Sequence, residues 1–422
     1  INEMKLNQYL SLTKLFLNMK KKLFLLSMLA MGSMMAQAQK TPVWCDPNVN
    51  EINRKMDVAN YFAYESEELA KKPQTPKANP KAQSARYMSI EGKWKFHWVE
   101  SANERPTDFY TLKYDDSQWA SMPVPGIWEL NGYGDAIYVN NHYAWRSDWV
   151  SDPPAVQDKG NHVGSYRKSF TVPADWQGRE VYVRFNGVGH GYYLWVNGKR
   201  VGYSEDSYLP SEFNITDYLT DGENTMALQV YRFTSGSFLE CQDYWRLTGI
   251  TREVFLWSAP KTQIRDYFFT STLSSANTIA TASVAIDVQG ETLTDGQVEV
   301  KIMDGGTVVA QKSQAVTQAK KLTLSGIRVS NPRLWSAEEP NLYDLVVTLR
   351  QGDKVLAVRG GKIGFRQIAV RADGALTING QRIIFHGVDR HDFSTENGRT
   401  VSREETERDI LLMKQLNVNA IR

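Results

Sequence analysis

Three stretches of this sequence combine residue types that do chemistry. The apolar run Ile383-Ile384-Phe385-His386-Gly387-Val388 ends in Asp389-Arg390-His391-Asp392, so a buried-strand pattern delivers carboxylate, guanidinium and imidazole groups together at its end. Asp206 lies in Gly202-Tyr203-Ser204-Glu205-Asp206-Ser207-Tyr208-Leu209-Pro210-Ser211-Glu212-Phe213, a loop setting. Loops carry ligand contacts more often than cores do. Asn140, in Tyr138-Val139-Asn140-Asn141-His142-Tyr143, offers an amide that both donates and accepts hydrogen bonds. His386 and His391 are an odd distance apart on a strand, which points them to opposite faces. They make a poor transition-metal pair, and His386 reads as a core histidine.

The elements around the first cluster are well marked. Leu376-Thr377-Ile378-Asn379-Gly380-Gln381-Arg382-Ile383-Ile384 reads as a hairpin, because Asn-Gly supplies the two positive-φ positions of a tight primed turn. Its second arm is expected to become a buried strand. Ser402 and Glu405 form the S-x-x-E signature of a helix start, and Ile410, Met413 and Leu416 give that helix an apolar stripe. A new strand opens at Asn419-Ala420-Ile421-Arg422. Strand, helix, strand is the opening unit of an α/β sheet or a (β/α)₈ barrel, with Arg390, His391 and Arg422 at the strand C-termini, where barrels place their sites.

Gly387-Val388-Asp389-Arg390-His391, Asp409-Ile410-Leu411-Leu412-Met413-Lys414 and Asn419-Ala420-Ile421-Arg422 resemble the start of the catalytic barrel of glycoside hydrolase family 2, in its bacterial β-galactosidase branch. The resemblance extends upstream through the Gly202 to Phe213 run, Gln242-Asp243-Tyr244-Trp245-Arg246-Leu247-Thr248-Gly249-Ile250, Asn331-Pro332-Arg333-Leu334-Trp335-Ser336 and Pro340-Asn341-Leu342-Tyr343. It implies a retaining hydrolase that removes terminal β-D-galactosyl residues. It also implies that His391 contacts sugar hydroxyls and stabilises the transition state, that Asn140 and Asp206 bind substrate, and that Asp206 helps hold a sodium ion. Both catalytic glutamates and the magnesium ligands of the family belong to later barrel segments. Retention needs two carboxyl groups ~5–5.5 Å apart, and neither Asp206, Asp389 nor Asp392 matches a family catalytic glutamate. The 422 residues by themselves are therefore expected to be an inactive N-terminal fragment of a Mg²⁺- and Na⁺-using, homo-oligomeric enzyme. The family usually has Asn and Glu where this chain has Asp389 and Asp392, and Thr and Pro where it has Val139 and Ala144.

The implied fold is mainly β: a jelly-roll sugar-binding sandwich over 90–259, an immunoglobulin-like sandwich over 260–370, and the first βαβ unit of a truncated (β/α)₈ barrel over 371–422. The residues support this independently. Gly92-Lys93-Trp94-Lys95-Phe96-His97-Trp98, Val181 to Phe185 and Met226 to Tyr231 alternate with the period of half-buried strands. Many short strands separated by turn residues mean a sandwich or jelly roll. Beyond Lys261 the aromatics thin and Val and Thr increase, with about seven short strands, which fits an immunoglobulin-like domain.

Upstream, Met19-Lys20-Lys21-Lys22, the apolar stretch to Met35 and Ala36-Gln37-Ala38 have the three regions of a secretory signal peptide over 19–38, too short to span a bilayer. Residues 1–18 read as translated upstream sequence, and 39–89, polar and carrying Pro73, Pro76 and Pro80, as an extended arm within which 58–64 could dock on a folded surface. A periplasmic location is expected. With 49 basic and 47 acidic residues the chain has no basic surplus, which argues against nucleic acid as a partner. Cys45 and Cys241, the two cysteines, define no disulfide framework. Two other functions fit the same residues: family 2 hydrolysis of a glucuronide or mannoside, and secreted carbohydrate binding without catalysis.

Overall fold

The computed structural model describes residues 41–58, 62–72, 79–141, 143, 145, 152–240 and 243–422. The leader-like stretch 19–38, the residues before it, and Cys241 lie outside the described residues.

Alternation decides the first domain. In Gly92–Val99, Trp94 and Phe96 are buried while Lys93 and Lys95 face solvent. Among the described residues, an antiparallel sheet runs in the order Glu51–Ile52, Lys199–Ser204, Gly191–Val196, Glu223–Tyr231, Val163–Thr171, Gly92–Val99 and Ala120–Val124. Facing it is a sheet ordered Ser211–Asn214, Glu180–Phe185, Val254–Ala259 and Tyr87–Ser89. Trp94, Phe96, Trp128, Tyr166, Leu194, Phe213 and Leu228 fill the space between them. The Asn197-Gly198 turn has φ of 50° and 79°, the primed geometry that matches strand twist.

The second sandwich packs Gln263–Leu273, Ile279–Gln289 and Lys320–Ser330 against Thr307–Ala315, Gly296–Asp304, Tyr343–Gln351 and Lys354–Ile363. Its core is aliphatic, with Ile264, Val284, Val298, Leu324 and Val347 buried. The two sandwiches share a buried boundary. Tyr182, Phe255 and Trp257 from the first meet Met303, Val346 and Val358 from the second. Arg359, fully buried there, donates to Ile264 O at 2.9 Å and Gln263 Oε1 at 3.1 Å. Burial pushes its pKa down to about 9.

The described parts of 39–89 are docked on both sandwiches, over more of the arm than the 58–64 stretch expected to dock. Trp44 stacks on Tyr231 at 4.3 Å, Glu51–Ile52 adds an edge strand beside Lys199–Ser204, and Phe62 and Tyr64 enter the boundary cluster. The short helix Glu67–Lys71, capped by Ser66 Oγ, lies against Lys354–Ile363, where Ala70 fits over Gly360. Apolar residues scattered in a polar segment find partners on surfaces formed far downstream, and outside 58–64 the proline-rich composition concealed them.

Beyond residue 366 the chain forms a small sheet of Ile368–Val370, Leu376–Ile378 and Gln381–Arg382, so this unit straddles the expected boundary at 370. Its Asn379-Gly380 turn has φ of 53° and 84°. The helix Arg403–Gln415 carries the full reciprocal cap between Ser402 and Glu405. It connects Gly387–Val388 to Ala420–Ile421, which pair in parallel. The buried strand expected from Ile383 is shorter than its apolar run: Ile384 and Phe385 are 61% and 62% exposed. With one parallel neighbour, the strand has a ladder only at Gly387 and Val388. His386, expected in a core, is exposed. It lines a cleft of about 750 Å³ with Trp335, Ile368 and Phe385 between the second sandwich and the barrel start.

Candidate active site

The Asp206 loop is a tight reversal after the strand ending at Ser204. Asp206 and Tyr208 have φ of 68° and 67°, left-handed conformations that cost non-glycine residues ~1 kcal/mol or more each. The surroundings over-determine them. Ser207 N–H donates to Glu240 Oε1 at 2.9 Å, Tyr208 N–H to Val188 O at 3.1 Å, and Arg252 Nη1 to Tyr208 O at 2.9 Å. The Tyr208 hydroxyl donates to Leu247 O at 2.5 Å. With its backbone fixed, Asp206 directs its carboxylate to Arg54, whose Nη2 lies 2.8 Å from Oδ2. Arg54 is in turn held by Glu51 at 2.7 Å.

Asn140 follows the strand Ile137–Val139, which pairs with Tyr244–Arg246 so that Val139 faces Tyr244. It is exposed. His391, also exposed, stacks on the Tyr244 ring with centroids 4.4 Å apart and planes at 23°. The Tyr244 hydroxyl donates to Asp392 O at 3.0 Å. The Asp392 carboxylate is paired with Arg252 at 2.9 Å and with Arg390, which also reaches Asp409 on the helix at 2.9 Å. The Arg399 guanidinium lies 4.0 Å from the ring centroids of both Tyr208 and Tyr244. The three residues singled out in the sequence are therefore tied to one junction: Asn140 beside the strand partner of Tyr244, His391 on the ring of Tyr244, and Asp206 two residues from Tyr208.

The three aspartates that the sequence offers for acid–base work are each engaged by a guanidinium: Asp206 by Arg54, Asp392 by Arg252 and Arg390, Asp389 by Arg422 at 3.6 Å. The carboxyls with raised pKa lie inside the first sandwich. Burial pushes Glu129 up to about 7 despite Arg232 nearby, and pushes Glu205 up to about 7 despite bonds from the Tyr203 hydroxyl at 2.6 Å and Gly236 N–H at 3.2 Å. Burial likewise depresses His190 to about 3, which keeps its ring neutral behind the Asp206 loop.

Among the described residues no group of three or more His, Cys, Asp or Glu side chains is placed to hold a metal. A sodium ion at Asp206 would have one carboxylate and would compete with Arg54 for it.

Sequence reasoning missed Arg54, Tyr208, Tyr244 and Arg399. Tyr208 falls inside the motif singled out for Asp206 and Tyr244 inside a stretch singled out for its family resemblance; nothing near Arg54 or Arg399 marks them.

Three consecutive family patterns match the chain: Glycosyl hydrolases family 2, sugar binding domain, over 87–260; Glycosyl hydrolases family 2 over 262–366; and Glycosyl hydrolases family 2, TIM barrel domain, over 368–422. The chain belongs to glycosyl hydrolases family 2. A "Beta-galactosidase" of Priestia megaterium is 37% identical over 398 residues, covering 92% of this chain and 38% of that protein. Among solved structures, a beta-glycosidase from Bacteroides vulgatus superposes with a TM-score of 0.66 at 25% identity, covering 80% of this chain and 41% of that one. A Bacteroides uniformis beta-glucuronidase does so with a TM-score of 0.65 at 25% identity, covering 80% and 39%. This family 2 chain thus spans little more than a third of the curated galactosidase's length.

Proposed function

We propose that the protein to which these residues belong is a retaining glycoside hydrolase that removes terminal β-D-galactosyl residues, and that Asn140, Asp206 and His391 contact the galactosyl group. The observation that carries this reading is the convergence of the Asp206 loop and His391 on Tyr208, Arg399 and Tyr244, where the sugar-binding sandwich meets the first barrel strand. Ligand pockets favour such domain junctions. A carboxylate, an amide and an imidazole near one domain junction supply the donors and acceptors that a polyhydroxylated ring requires. His391, at the end of a barrel strand, strengthens its hydrogen bond as charge develops on the sugar. Nucleophile and acid/base come from elsewhere in the barrel, since Asp206, Asp389 and Asp392 are all tied to arginines. Sodium at Asp206 and magnesium on later segments, export to the periplasm, and homo-oligomerisation belong to the same proposal.

The second reading is glucuronide hydrolysis, favoured by Arg54: a guanidinium 2.8 Å from Asp206 could receive a uronate carboxylate. The test is release of nitrophenol from β-galactoside and β-glucuronide substrates by a polypeptide carrying these residues with the remainder of the barrel. At least ~100-fold preference for the galactoside, ~2.7 kcal/mol in transition-state binding, is expected. Preference for the glucuronide overturns the proposal. The 422-residue chain alone is expected to bind without turnover, lacking both general acid–base assistance and a covalent route.

A further inference from the structure

The layering at the junction goes beyond the contacts needed to join two domains. His391, Tyr244, Arg399 and Tyr208 form a continuous stack: imidazole on phenol at 4.4 Å, then a guanidinium 4.0 Å from that phenol and 4.0 Å from the next. Two groups centred about 4 Å from one ring cannot share a face, so His391 and Arg399 cover opposite sides of Tyr244. Phe393 closes one edge of it, at 5.7 Å and 81°. Arg399 Nε is buried with no acceptor among the described residues, so the planar cation is held by ring faces at least as much as by hydrogen bonds. Planarity is what an arginine offers in such a sandwich and a lysine does not.

We infer that Tyr244 and Arg399 are positioning residues, which set the orientation of the His391 ring and the placement of the Asp206 loop relative to each other. The inference rests on the galactosidase reading for its catalytic consequence and on geometry alone for the stack. Tyr244 is anchored twice, by its ladder to Val139 and by its hydroxyl on Asp392 O, so its ring is a fixed surface for His391. Arg399 comes from the barrel segment, while both rings it separates belong to the sandwich. It therefore transmits the position of one domain to the other. Misplacement of a reacting group by about 1 Å costs on the order of 10²-fold in rate, which makes such a spacer consequential although it touches no substrate.

Two measurements test it. In the 422-residue chain, NMR of the histidine rings, assigned by loss of the His391 signals in His391→Gln, should show His391 shifted upfield by the Tyr244 ring. Tyr244→Phe should keep that shift and Tyr244→Leu should lose it. Arg399→Gln should move both the His391 signals and the amides of Asp206 to Leu209, and Arg399→Lys should not restore them. An unchanged His391 shift in Tyr244→Leu overturns the stack, as do unchanged loop amides in Arg399→Gln. Should Tyr244→Leu fail to fold, the milder Arg399→Lys decides on the same signals. In the polypeptide with the whole barrel, Arg399→Gln should lower kcat ~10- to 100-fold with KM changed much less. Equal kcat overturns the positioning role. An unsubstituted protein that shows the ring shift but no activity on β-galactosides counts against the galactosidase reading and supports the stack.

Discussion

Arg54 Nη2 lies 2.8 Å from Asp206 Oδ2, so a residue of the N-terminal segment holds the carboxylate that the sugar-binding sandwich presents at its junction with the barrel. The same guanidinium is braced by Glu51 and reaches Ser204 Oγ and Glu205 O, both at 3.3 Å. The docked segment thus fixes the Asp206 loop from behind.

Replacing Arg54 by Gln frees Asp206 while leaving the fold in place, because the pair is partly exposed and worth ~1 kcal/mol or less to stability. The expected result is a change in galactoside affinity and in sodium dependence with a melting temperature within a few degrees of the parent. Calorimetric titration against β-galactosides at varied sodium measures both. Identical affinities would show that Arg54 does not act on Asp206 in solution.

Glu212 joins the two sandwiches and the arm. It is 1% exposed, and its oxygens accept from Arg265 at 2.7 Å and Trp257 Nε1 at 2.9 Å, with Arg184 at 3.6 Å; Arg265 also reaches Met56 O. Glu212→Ala would leave the buried Arg265 guanidinium without a counter-charge and Arg184 with Asp57 alone at 3.1 Å, a loss of ~3 kcal/mol. Urea unfolding should show it; a loss under ~1 kcal/mol would mean that water reaches the pocket.

Glu205 and Glu129 make stability fall as pH rises. Each has a folded pKa of about 7, above the ordinary 4.5, because burial penalises the charged form. The fold therefore binds more protons than the unfolded chain between about pH 4.5 and 7. The stabilisation is complete below the unfolded pKa and is lost as pH passes through the folded one. Glu205→Gln should flatten the decline across this window. Denaturant midpoints at pH 5, 6, 7 and 8 would reveal it, and parallel curves for the two proteins would rule Glu205 out as a source.

The barrel unit presents an apolar face: Leu411, Leu412 and Leu416 are 53%, 54% and 69% exposed, with Ile384 and Phe385 close to 60%. Uncovering such side chains costs ~1.5–3 kcal/mol each relative to burial. The 422-residue chain should self-associate through this face, and Leu411→Glu with Leu412→Glu should reduce the association without altering the sandwiches. Light scattering with circular dichroism separates the two effects.

Cys45 should resist thiol reagents. Burial pushes its thiol up to about 11, so little thiolate exists at neutral pH. Labelling at the rate of free cysteine would contradict the packing of Trp44 and its neighbours.

The sequence by itself determined everything governed by short-range rules: the strands of both sandwiches by their period of two, the Asn-Gly hairpins by the positive φ those residues tolerate, and the Ser402 to Glu405 cap by its spacing. It also put Asn140, Asp206 and His391 forward as candidates through motifs that are contiguous in the chain. Only the tertiary structure decided that the polar, proline-bearing segment docks on both sandwiches well beyond its 58–64 stretch, and that Ile384 and Phe385 are exposed where their apolar run suggests a buried strand. Only it assigned Arg54 to Asp206 and inserted Arg399 between Tyr208 and Tyr244. The reason is physical. A turn or a cap is settled by atoms a few residues apart, whereas the partner of a charged or aromatic side chain is settled by which distant strands share a sheet and where each one ends.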